Sequence, residues 1–116
     1  MTSAGGISIH AVDVATGRVA QGLSVLIQRL DPEPTLIAQG RIGPNGLLAH
    51  PSANGEFIIA GLYEVNFAVG EYLSALGRSI AFLDHVPFRF RVRDASEHYH
   101  LPFKFTPFGF SLFRGA

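Results

Sequence analysis

Residues 86–94 read VPFRFRVRD, and no other stretch constrains the fold of this 116-residue chain so tightly. Val86, Phe88, Phe90 and Val92 fall on one side of an extended backbone, while Arg89, Arg91 and Arg93 fall on the other. A helix would scatter these residues around its axis. A strand sorts them into one buried and one wet face. YEVNFAV (63–69) repeats the pattern, with Tyr63, Val65, Phe67 and Val69 on one face. LSVLIQRL (23–30) and TLIAQGRI (35–42) read as two further strands joined through the turn DPEP. GISIHAVDV (6–14) predicts a first strand, and GPNG (43–46) a tight turn. HYHLPFKF (98–105), a bend at Pro107–Gly109 and FSLFRGA predict a terminal hairpin. Only GEYLSALGR (70–78) reads as helical, with Glu71 in its first turn and Gly77 as its stop. About seven or eight short strands with regular turn signals predict an all-β, two-sheet antiparallel sandwich with one short helix. The whole chain, 1–116, reads as a single domain.

Composition narrows what such a sandwich can do. Nine basic residues balance nine acidic ones, so no net field draws the chain to nucleic acid or to an anionic membrane. No basic patch is interleaved with aromatic platforms, and a nucleic-acid partner is not expected. The absence of cysteine excludes disulfides and thiolate chemistry. No apolar run approaches the roughly 18 residues of a membrane span, and the start, MTSAGGISIHAVDV, lacks the pattern of a secretory signal. A soluble cytoplasmic protein is expected.

The chemistry-bearing residues are the five histidines. In HYHLPFKF, Tyr99, Leu101, Phe103 and Phe105 share one face, so His98, His100, Pro102 and Lys104 share the other. Both histidines therefore point away from the core. That places them on a solvated strand face or at a working site, and parity alone leaves the choice open. His10 shares its face of the first strand with Ser8. His50 and His85 each adjoin a turn or a proline and read as structural or surface residues. His-x-His can chelate a metal, but His10, His50, Asp13 and Asp94 are not spaced to complete a ligand set, so neither metal nor cofactor is expected. There is no Gly-x-Ser-x-Gly elbow and no paired carboxylate spacing. Imidazole is the one side chain here suited to taking and returning protons near neutral pH, which favours water activation if the chain is catalytic.

Three stretches carry a resemblance to a known family. SIHAVDVATGRVAQGLSVLIQRL resembles its opening signature, GLYEVNFAVGEYLSALG its middle strand and short helix, and EHYHLPFKFTPFGFSLFRGA its C-terminal block. The family is the transthyretin-like one, in its 5-hydroxyisourate hydrolase branch. The resemblance implies a transthyretin-type sandwich assembled as a homotetramer, a dimer of dimers, with sites in a channel lined by the first and last strands. It implies hydrolysis of a ring amide of a small purine-derived substrate. Matched residue by residue, His10 and His100 take the two catalytic histidine positions, with His98 in support. Arg114 and Gly115 match the tail that closes the site.

Three positions depart from the family pattern. Leu47 stands where the family has Arg, Phe113 where it has Tyr, and Ala116 where it has Ser. A guanidinium, a phenol and a hydroxyl are lost from the substrate-binding set, while both imidazoles stay. The resemblance thus implies either 5-hydroxyisourate or a less polar, N-methylated analogue from caffeine-like purines as substrate. A non-catalytic small-ligand-binding protein is the alternative.

Overall fold

Alternation along the strands folds into two layers. The structure is a computed structural model that describes residues 5–78 and 82–115. Ala116, expected in the substrate-binding tail, lies outside the described residues. The strands are β1 (Gly6–Asp13), β2 (Arg18–Val19), β3 (Ser24–Arg29), β4 (Thr35–Arg41), β5 (Gly61–Phe67), β6 (Val86–Val92), β7 (His98–Thr106) and β8 (Gly109–Leu112). A 3-10 turn covers Pro51–Asn54, and the helix α1 covers Val69–Ala75. One sheet runs β2-β1-β7-β8 and the other β4-β3-β5-β6. This is the expected two-sheet sandwich with one short helix. Among the described residues no helix is long and apolar enough to cross a membrane.

The core forms where the two inner faces meet. Ile7, Ile9 and Ala11 of β1 and Leu101, Phe103 and Phe105 of β7 face Val25 and Ile27 of β3 and Tyr63, Val65 and Phe67 of β5, all buried. Phe67 and Phe103 stack across the sandwich with ring centroids 3.9 Å apart. Such pairs add to the ordinary gain from burying apolar area. In β6, Val86 and Val92 are buried while Phe88 and Phe90 are half-buried, because β6 is an edge strand. α1 buries Val69, Tyr72 and Leu73.

Among the described residues all strand pairings are antiparallel except one: β1 and β7 run parallel. In that pairing Ser8 stands opposite His100 and His10 opposite Pro102. Alternation says which residues share a face and says nothing about the direction of a distant partner. At the end of β1, Asp13 is fully buried. Its carboxylate accepts a hydrogen bond from the Tyr72 hydroxyl at 3.3 Å and pairs with the Arg78 guanidinium. A buried carboxylate needs such partners. Here they tie the turn after β1 to α1.

Candidate active site

The face of β2-β1-β7-β8 that points away from the core collects the histidines. His10 and His100 are half-buried there, and His98 is exposed. Because β1 and β7 are parallel with Ser8 opposite His100, His10 is the diagonal neighbour of His100 on adjoining strands. Ser8 Oγ lies 2.7 Å from His100 Nδ1 and 2.8 Å from His98 Nε2. Burial, and then the nearby His10 and His98, push the His100 imidazole below its ordinary pKa. His100 is thereby kept neutral and able to accept a proton at neutral pH. With Nδ1 engaged by Ser8, Nε2 is the nitrogen left to act on a bound molecule.

The segment after the 43–46 turn builds the wall beside His10. Leu47 pairs with His10 in an antiparallel bridge, Ala11 N–H donates to Gly46 O at 2.9 Å, and Leu48 N–H donates to Ile9 O at 3.1 Å. Gly46 has φ +84°, and a Cβ built on it would lie 2.6 Å from His10 Nε2. Only glycine accepts both that backbone conformation and that contact. On the other flank, Gly115 bridges to His100 through an N–H that donates to His100 O at 2.7 Å. Phe113 lies under Lys104, whose Nζ is 5.9 Å from the ring centroid. Lys104 shares the outer face with His100, so its cation stands further along β7 with the Phe113 ring, from just after β8, beside it.

The structure therefore gathers His10, His98, His100, Leu47, Phe113 and Gly115 on one flank of the sandwich. Arg114 turns the other way. Its guanidinium lies 4.1 Å from the Tyr99 ring centroid and donates to Glu97 Oε1 at 3.0 Å and to His98 O at 2.9 Å. It fixes the backbone beside His98. His50 caps the 3-10 turn by accepting from Ser52 N–H at 3.1 Å, and His85 bonds Asn66 Oδ1 at 2.9 Å. Among the described residues no group of three or more His, Cys, Asp or Glu is arranged to hold a metal ion. Sequence reasoning passed over two contributors, Ser8 and Gly46. Ser8 shares the face of His10 by parity, which was the available signal. The role of Gly46 depends on a bridge between segments far apart in the chain.

The profile of the HIUase/Transthyretin family matches residues 7–115. The chain is 35% identical over 120 residues to the 5-hydroxyisourate hydrolase 2 of Rhizobium meliloti (strain 1021), covering 100% of both chains. Among solved structures, it resembles the 5-hydroxyisourate hydrolase of Klebsiella pneumoniae with a TM-score of 0.80 and 28% identity, covering 100% of this chain and 97% of that one. It also resembles an (S)-allantoin synthase with a TM-score of 0.87 and 28% identity, covering 100% of this chain but 46% of that one. Matched along nearly its whole length by the family profile, and at full length by a bacterial relative, the chain belongs to the HIUase/transthyretin family.

Proposed function

We propose that this chain is a hydrolase of purine catabolism that opens a ring amide of 5-hydroxyisourate or of an N-methylated analogue. Relatives named 5-hydroxyisourate hydrolase, one of them matched over its full length, support the reaction class. The single observation that carries the assignment to this face is the His10–His100 pair: two half-buried imidazoles on adjoining strands, one of them with a depressed pKa. His100 deprotonates and orients a water for attack on the ring carbonyl. His10 returns a proton to the ring nitrogen as the C–N bond breaks. Gly115 and the tail beyond it close the site.

Leu47 and Phe113 favour the N-methylated substrate. An aliphatic side chain beside His10 cannot grip a ring anion or a carbonyl as an arginine does. Methyl groups on the ring nitrogens block that anion and pack against Leu47 and Phe113. Removing one charge-stabilising donor from such a site costs about 10²–10³ in rate, so the unmethylated substrate is expected to be turned over slowly. Assembly as a homotetramer, a dimer of dimers, belongs to the same proposal. The half-apolar outer face would then line a channel between subunits and not a wet surface.

Ultraviolet decay of freshly made 5-hydroxyisourate and of its trimethyl analogue, corrected for spontaneous decay, tests the reading. Acceleration of both is expected, with the trimethyl compound favoured in kcat/KM by about tenfold or more. A preference for the unmethylated compound would remove the polarity argument. Acceleration of neither would leave a non-catalytic small-ligand-binding protein.

A further inference from the structure

We propose that Ser8 is a positioning and proton-relay residue that joins the imidazole of His100 to that of the exposed His98. The inference rests on the hydrolase reading above, because it assigns an exit to a proton that the reaction must release. Water supplies a hydroxyl to the ring carbonyl carbon and a hydrogen to the ring nitrogen as the C–N bond breaks. The carboxylic acid so formed ionises at neutral pH and its proton restores the one that His10 gave to the ring nitrogen. The proton that His100 took from water is therefore the one that leaves the site in every turnover. His100 is half-buried, and charge held there is opposed by lost hydration and by neighbouring imidazoles.

The geometry supplies the path. Ser8 Oγ is within hydrogen-bond distance of His100 Nδ1 at 2.7 Å and of His98 Nε2 at 2.8 Å. A hydroxyl has one hydrogen to give and two lone pairs. It cannot satisfy two bare nitrogens, so at least one of these two ring nitrogens carries a hydrogen. In the working arrangement His100 Nδ1–H donates to Ser8 Oγ, and the Ser8 hydroxyl donates to His98 Nε2. When His100 Nε2 takes a proton from water, the Nδ1 hydrogen passes to Ser8 as the hydrogen of Ser8 passes to His98. No alkoxide forms. The positive charge moves from a half-buried ring to an exposed one, where solvent removes it. Once product has left, exchange with solvent at His100 Nε2 and at His98, with Ser8 passing a hydrogen back, returns both rings to their starting tautomers.

The parallel register places Ser8 directly opposite His100, and parity places His98 one pleat earlier on the same face. Arg114 holds the His98 carbonyl at 2.9 Å and so fixes the outer end of the path. The other titratable groups around the pair are His10 on β1, Lys104 further along β7, and the Glu97–Arg114 ion pair beside His98. Among the described residues Lys104 has no carboxylate within ion-pair distance.

The test combines turnover with histidine NMR on the full chain. Ser8→Ala is expected to lower kcat about tenfold in weak buffer while leaving KM and the melting temperature near those of the parent. Free imidazole should restore most of that loss, Ser8→Thr should restore it without imidazole, and adding His98→Ala to Ser8→Ala should cost little more. In NMR titrations of the parent, His98 and His100 should titrate as a coupled pair and become independent in Ser8→Ala. A loss in Ser8→Ala that imidazole does not relieve, or independent titration of the two rings in the parent, would overturn the relay. If the parent turns over neither substrate, the hydrolase reading fails by itself, and the NMR titrations still decide whether Ser8 couples the rings.

Discussion

His100 differs from the other histidines in its surroundings. Its neighbours are Ser8, His10, His98 and the Gly115 backbone, and its Nδ1 is already engaged. Replacing it (His100→Ala) is expected to lower kcat/KM by about 10²–10⁴ while leaving the fold intact, which steady-state kinetics and circular dichroism together check. Its pKa, pushed below the ordinary 6.5 by burial first and by His10 and His98 after, sets two pH effects. The acid limb of kcat/KM should lie below 6.5, since the neutral imidazole is the working form. Stability should also fall as pH drops through 6.5 towards the folded-state pKa, because the unfolded chain then binds a proton that the fold resists. An acid limb above 6.5 would exclude His100 as the base. Gly46→Ala tests the wall. Its added methyl would stand 2.6 Å from His10 Nε2, so kcat should drop by up to about a hundredfold through displacement of that ring. At this scale parity alone put His10, His98, His100 and Ser8 on outer faces. It could not tell a wet face from a working one, because burial and partners come from another strand.

Strands, turns and helix were legible for a related reason: each is a local pattern. β6 follows the alternation read at 86–94 and β5 that read from Tyr63 to Phe67. Val69, read as the last residue of that strand, instead opens α1, which starts one residue ahead of the predicted helical segment and ends inside it. Two features were not legible, and both are non-local. The parallel pairing of β1 with β7 joins residues 92 apart, at Ser8 and His100. The bridge from His10 to Leu47 is the second: the resemblance put Leu47 in the substrate-binding set, but its pairing with β1 could not be read from local pattern. Asp13 is the element-scale example with the clearest energetic consequence. It lies on the core side of β1, fully buried, and is tolerated there because Tyr72 and Arg78 reach it from α1 and just beyond. Asp13→Ala should lower unfolding free energy by on the order of 3 kcal/mol in urea denaturation, since Arg78 and the turn after β1 lose their shared partner. A change under 1 kcal/mol would mean that the network is solvent-screened and not a tie.

At the scale of the whole molecule, one sandwich divides its labour between two sides of one sheet. The inner side supplies stability through Ile7, Ile9, Leu101, Phe103 and Phe105. The outer side holds imidazoles, Leu47, Lys104 and Phe113, and gains no core burial from them. That outer side, with Phe113 49% exposed, is what an assembly of four chains would cover. Sedimentation velocity should give a species of about four subunits, and a monomer at micromolar concentration would show that the face works uncovered. In the function proposed above, the paired imidazoles of β1 and β7 open a purine-derived ring. Its most direct measurement is the ultraviolet decay of freshly generated trimethyl 5-hydroxyisourate with the parent chain, His10→Ala and His100→Ala, each checked for native assembly. The expected result is rapid decay with the parent and decay near the spontaneous rate with either variant. Parent-like decay with His10→Ala and His100→Ala alike would contradict it.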